Sequence, residues 1–145
     1  MPEARLDYQK IKNLAKPGFV MEAPSMERLY INAGLALTDL LVDINTVQDQ
    51  ERHTIVVEAP NKEGLMAAWL GEILAHYQNS GFLCRRIVFD KFDGKRIQAT
   101  LRGEKYSPLR HGHIHAIKGI AETLEFGERL DTHPVFFVKV LFDYR

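Results

Sequence analysis

Ser80-Gly81-Phe82-Leu-Cys-Arg-Arg-Ile-Val-Phe-Asp-Lys-Phe92-Asp93-Gly94-Lys95-Arg96-Ile-Gln-Ala-Thr-Leu-Arg102 decides the fold. Gly81 ends a helix, because glycine supplies the left-handed residue that helix ends often need. Apolar and β-branched residues follow at once as far as Phe92, and Asp93-Gly94 then marks a tight turn whose two central positions tolerate positive φ. A second strand, Lys95 to Arg102, returns beside the first. Adjacent strands joined by a tight turn run antiparallel, which argues for α+β and against a doubly wound parallel sheet.

Upstream, Leu65, Trp69, Leu70, Ile73, Leu74 and Tyr77 recur at helical spacing behind Asn61, a capping residue, and His53 to Ala59 reads as a strand. Ser25 caps an earlier helix with one broad apolar face, formed by Met26, Leu29, Tyr30, Ala33, Leu37, Leu40 and Leu41. Tyr8 to Ala23 reads as two short strands interrupted at Lys16-Pro17-Gly18, and two more are expected near His113–Phe126 and Pro134–Asp143. The expected order is β-β-α-β-α-β-β-β-β. No repeat or Gly/Ser linker divides it, so residues 1–145 are expected to form a single domain, two main helices packed against antiparallel or mixed β layers.

The 145 residues are 46% hydrophobic and 26% charged, with 19 basic side chains against 19 acidic. A chain of ~150 residues buries roughly 70% of its unfolded surface, so its core needs no disulfide or structural metal. The lone Cys84 excludes an internal disulfide and suggests a reducing compartment. No apolar leader follows Met1 and no stretch approaches the ~20 residues that span a bilayer, so a soluble cytoplasmic protein without membrane contact is expected. Zero net charge gives no general attraction for phosphates. Arg85-Arg86, Lys91, Lys95-Arg96, Arg102, Lys105 and Arg110 are interleaved with Asp90, Asp93 and Glu104, which argues against strong direct nucleic-acid binding.

Phosphate-loop, serine-elbow, zinc-helix and paired-cysteine signatures are absent. Two candidate sets remain. In Arg110-His111-Gly112-His113-Ile114-His115, strand spacing would place His111, His113 and His115 on one face about 6.5 Å apart, an arrangement able to hold a cation in a small metalloenzyme. The other set is carboxylates at element ends: Asp143 after an apolar strand, Glu104 after Gly103, and Asp43 after the first helix.

Ser25 to Asp43, Leu65-Met-Ala-Ala-Trp-Leu-Gly-Glu-Ile-Leu74 with Ser80-Gly81-Phe82, Leu101-Arg-Gly-Glu104, Pro108-Leu-Arg-His111, Ile117-Lys118 and Val140-Leu-Phe-Asp143 resemble, in order and spacing, the archease family. The resemblance implies a compact α+β fold and an accessory role. Archeases are protein cofactors that promote guanylylation and turnover of the RNA-splicing (tRNA) ligase without being ligases or other enzymes themselves. It also implies a functional, partner-facing cluster of Lys118, Glu104 and Asp143, with Asp143 as an acidic metal ligand and Tyr144 placed to offer a carbonyl to a divalent cation such as calcium.

Two stretches depart from the family's pattern. Where the family carries His-Thr-Ala-Asp-Ile-Gly, this chain has Asn13-Leu14-Ala15-Lys16-Pro17-Gly18, so a cation stands at the place of a ligand. Of the family's Lys-Ala-Val-Thr-Tyr-His, Lys118 is kept and the last three residues are not. Charges 4 Å apart at an effective dielectric of ~20 interact by roughly 4 kcal/mol, which disfavours the same ion beside an ammonium. The sequence reading is that no cofactor is required and that Lys16, counted with the functional, partner-facing residues, either pairs with Asp143 in the ion's place or points to solvent at a decayed site. A divergent, metal-free adaptor on the same scaffold is the alternative.

Overall fold

The computed structural model describes residues 9–11, 17–130 and 133–144. Helix α1 (Met26–Leu41) starts where Ser25 Oγ accepts the Arg28 N–H at 3.1 Å. Helix α2 (Lys62–Ser80) starts where Asn61 Oδ1 accepts the Gly64 N–H at 2.7 Å. It ends at Gly81, whose φ of 75° lets its N–H turn back to the Tyr77 carbonyl at 2.7 Å. Two bonds tie the helices together: Trp69 Nε1 donates to the Tyr30 carbonyl and Tyr30 Oη to the Lys62 carbonyl, each at 2.7 Å.

Among the described residues seven strands form two sheets. The first, in the order β1-β2-β7-β6, comprises β1 (Gln9–Ile11), β2 (Gly18–Ala23), β6 (Ile117–Leu130) and β7 (Pro134–Tyr144). The second, in the order β3-β5-β4, comprises β3 (Glu51–Glu58), β4 (Phe82–Phe92) and β5 (Arg96–Lys105). Every described pairing is antiparallel. Both long helices touch strands of both sheets, so their apolar surface is wide. The core joins Phe19, Val138, Val140 and Phe142 from the first sheet and Ile97, Ala99 and Leu101 from the second to Leu29, Leu37, Trp69 and Leu70 of the helices, all fully buried. Each large apolar side chain so buried stabilises the fold by about 1.5–3 kcal/mol. No helix among the described residues is long and apolar enough to cross a membrane.

Two local readings change. The strand expected from His113 begins only at Ile117, because Ser107-Pro108 opens a short helix, α3 (Pro108–His111), and Gly112, at φ 73°, ends it. Proline at a first helical position costs no hydrogen bond, so the segment can turn before it extends. In the β4–β5 turn, Asp93 N–H donates to the Arg96 carbonyl at 3.3 Å, and Gly94 alone has positive φ, 87°. The central residues are therefore Gly94-Lys95, a type II′ pattern, while Asp93 accepts from the N–H groups of Lys95 and Arg96 at 2.9 and 2.8 Å.

Candidate functional site

The segments that carry the candidate residues meet at one end of the molecule. Gln50 N–H donates to the Gly103 carbonyl at 2.8 Å and His115 N–H to the Leu41 carbonyl at 2.9 Å. Gln78 Nε2 donates to the carbonyls of Ile117 and Lys118 at 3.2 and 2.8 Å. Phe142 N–H donates to the Pro17 carbonyl at 2.8 Å. The ends of α1, α2, β5 and β7 and the start of β6 are thereby held together.

Glu104 is buried here. Its side chain is 8% exposed and takes three donors: the Gln48 N–H at 2.6 Å, His111 Nε2 at 3.0 Å and Arg110 Nη1 at 3.0 Å. Burial alone would raise its pKa, but the bonds to His111 and Gln48 and the Arg110 guanidinium outweigh that and hold the carboxyl below its usual value. Gly103 makes the arrangement feasible, since a Cβ there would lie 1.8 Å from the Leu83 carbonyl oxygen. His111 completes the brace. Its Nδ1 accepts the Ser107 N–H at 2.9 Å, so the proton sits on Nε2, which donates to Glu104. Tyr106 stacks on the same ring and its hydroxyl donates to the Gly112 carbonyl at 2.5 Å. Glu104 and His111 are positioning residues that fix α3 and the loop from Val47 to Gln50.

The three histidines do not share a strand face. His111 lies on α3 with both ring nitrogens engaged, whereas His113 and His115 are exposed in the following loop, ring centroids 5.5 Å apart. The latter two line a cleft of about 630 Å³ with Pro17, Asp39, Asp43 and Ile117. Its floor is the C-terminal end of α1, which carries partial negative charge and has no basic residue in its last turn. Asp39 and Asp43 there accept the backbone N–H groups of Ile44 and Asn45 at 3.1 and 3.0 Å.

Lys118 and Asp143 are brought together at the level of the backbone. Ile117 pairs with Tyr144 and Gly119 with Asp143, so Lys118 is the extra residue of a β-bulge opposite the end of β7. A bulge re-aims its side chain, and Lys118 is exposed. Asp143 is half-buried; of Tyr144 only the backbone is described. Lys16 lies outside the described residues, as does its expected pairing with Asp143, although the next residue, Pro17, bonds to the residue before Asp143. Among the described residues no three His, Cys, Asp or Glu side chains group closely enough to hold a metal ion. Cys84 is fully buried and its thiol is pushed up to about 12, so it is no thiolate nucleophile.

The comparisons with known proteins agree with this architecture. The Archease protein family (MTH1598/TM1083) profile matches residues 8–143. Protein archease of Methanosarcina mazei is 26% identical over 129 residues, covering 83% of this chain and 85% of that protein. Protein archease of Methanopyrus kandleri is 28% identical over 118 residues, covering 79% and 84%. The solution structure of Methanobacterium thermoautotrophicum protein 1598 is similar with a TM-score of 0.74 at 20% identity, over 96% of this chain and 99% of that one. A crystal structure from Thermotoga maritima, described as an archease and possible chaperone, gives a TM-score of 0.55 at 17% identity over 99% of both chains. At these identities the two structures speak to the fold.

Proposed function

The chain belongs to the archease family, and from that premise we propose that it is an accessory protein, not itself an enzyme, that promotes guanylylation and turnover of an RNA-splicing (tRNA) ligase. The observation that carries this reading is the placement of exposed Lys118 on a bulge beside Asp143, at an end of the molecule braced by Glu104 and His111. A cation on a strand bulge next to a strand-end carboxylate is a polar patch held to a fixed geometry. Such a patch acts on a partner's active site by positioning and charge, with the ligase supplying nucleotide, metal and RNA channel. A net charge of zero suits a protein that contacts the enzyme and leaves the RNA to it.

The test is ligase turnover with Lys118→Ala and Asp143→Ala. Each variant, folded by circular dichroism, is expected to stimulate at least about tenfold less than the unaltered chain, as for loss of a charged contact at a protein interface. Full stimulation by both variants would reject the assignment of this patch.

A second reading rests on Lys16. With a cation at the family's acidic position, the chain acts as a metal-free adaptor that binds its partner without stimulating it. Complex formation with no gain in turnover would select this reading.

A further inference from the structure

The two sheets have four edges, and three are blunted. Among the described residues β1 has three; β6 carries register shifts at Ile117/Gly119, Ile120/Glu122 and Thr123/Glu125; β4 carries them at Cys84/Arg86 and Phe89/Lys91. Short strands and bulges are the usual protection against edge-to-edge pairing. β3 has neither. Its eight residues pair with β5 in unbroken register from Glu51–Gly103 to Glu58–Arg96, and it contains no proline or glycine.

The direction of its free hydrogen-bonding groups follows from one bond. Ala59 N–H donates to the Lys95 carbonyl at 2.9 Å, extending the ladder by one pair. In an antiparallel ladder the backbone groups of successive residues point to alternate sides, so His53, Ile55 and Val57 face β5. Arg52, Thr54, Val56 and Glu58 turn theirs to the open edge, where among the described residues nothing bonds them. The same four side chains are exposed, Val56 by 47%.

We propose that the β3 edge pairs with β3 of a second copy of this chain, antiparallel about a two-fold axis at Ile55. That register joins edge-facing residues only: Arg52 opposite Glu58 of the second copy, and Thr54 opposite its Val56, each pair occurring twice. It is self-complementary in charge. Arg52 stands in a cross-strand row with Arg102 and Arg86, where Asp49 engages Arg102 at 2.5 Å and Arg86 at 3.8 Å, and no ion pair among the described residues engages Arg52. The Glu58 side chain is 69% exposed and ion-paired on one side with Arg96 at 3.0 Å, leaving its other side for the second copy's Arg52. Like charges opposite one another in a sheet are unfavourable and opposite charges favourable, so the paired sheet corrects an imbalance that the single chain leaves. A second copy satisfies both charges of this edge at once, which selects it over an acidic or a basic peptide. Pairing by an edge alone buries little area, so the dimer is weak and concentration-dependent.

Sedimentation velocity over a concentration series, up to about 1 mM, reads this directly. The unaltered chain is expected to shift from one chain's mass toward two. Val56→Pro, which removes an N–H that β5 does not use, is expected to remain monomeric with unchanged circular dichroism. Arg52→Glu is expected to weaken association about tenfold or more, by setting like charges opposite in both symmetric pairs, and Arg52→Glu with Glu58→Arg to recover it. A monomer throughout, or a dimer indifferent to Val56→Pro and Arg52→Glu, overturns the proposal. A double variant that stays dissociated while folded overturns the register.

Discussion

At the scale of single residues, Glu104 is a buried carboxylate that braces the fold. Three donors hold it ionised under cover, and a hydrogen bond to a charged group contributes about 1.5–3 kcal/mol. Glu104→Gln is expected to cost roughly that much at pH 7, read by urea unfolding. Its folded pKa lies below the ordinary value of 4.5. Its contribution is therefore complete above that value and disappears as pH falls through the lowered one, and the gap between the two proteins should close under acid. Lys16 decides a different matter. Calcium is expected to leave the melting temperature unchanged, whereas Lys16→Asp, which restores the family's acid, should bring back a calcium-dependent rise. Binding to the native state alone adds about 2.7 kcal/mol at a free concentration about 100 times Kd. A rise in the unaltered chain would show that the cation site survives the inversion. Of these residues, the sequence made Asp143 and Lys118 visible by resemblance. It could not make visible the burial of Glu104, which depends on a loop and a helix that arrive from positions 48 and 111.

Among the elements, the helices were the most legible, because their signals are local. Ser25 and Asn61 each accept an N–H three residues on, and Gly81 takes the left-handed conformation. Ser25→Ala and Asn61→Ala are each expected to lower stability by about 1 kcal/mol in thermal or urea unfolding, with the fold retained. The β4–β5 hairpin was equally plain, though its turn is centred one residue later than Asp-Gly suggests, since Asp93 serves better as an acceptor for two N–H groups than as a turn centre. The segment after β5 was misread for a physical reason: alternating histidines imitate a strand, while Ser107-Pro108 and Gly112 bend the backbone into a helical turn. Bulges escape notice altogether. Nothing in Lys118-Gly-Ile-Ala-Glu-Thr123 marks which residue is extra, because the count is set by the opposing β7.

For the molecule as a whole, hydropathy showed the strands found among the described residues but not how they divide. Helices that touch both sheets unite two antiparallel groups, of four strands and three, into one core, and periodicity within a strand carries no information about that division. Net charge behaved likewise: 19 against 19 is silent until folding sorts it, placing acids around the cleft at the end of α1 and a row of arginines on the outer face of the second sheet. The central claim is that this assembly acts through a partner enzyme. It is tested most directly by multiple-turnover joining of RNA ends by the RNA-splicing ligase, with and without the chain at equal ligase concentration. The account predicts that the chain raises both the guanylylated fraction of the ligase and the number of joining events per ligase molecule, and that the chain alone joins nothing. An unchanged turnover number over a full titration, with the added protein folded, would contradict it.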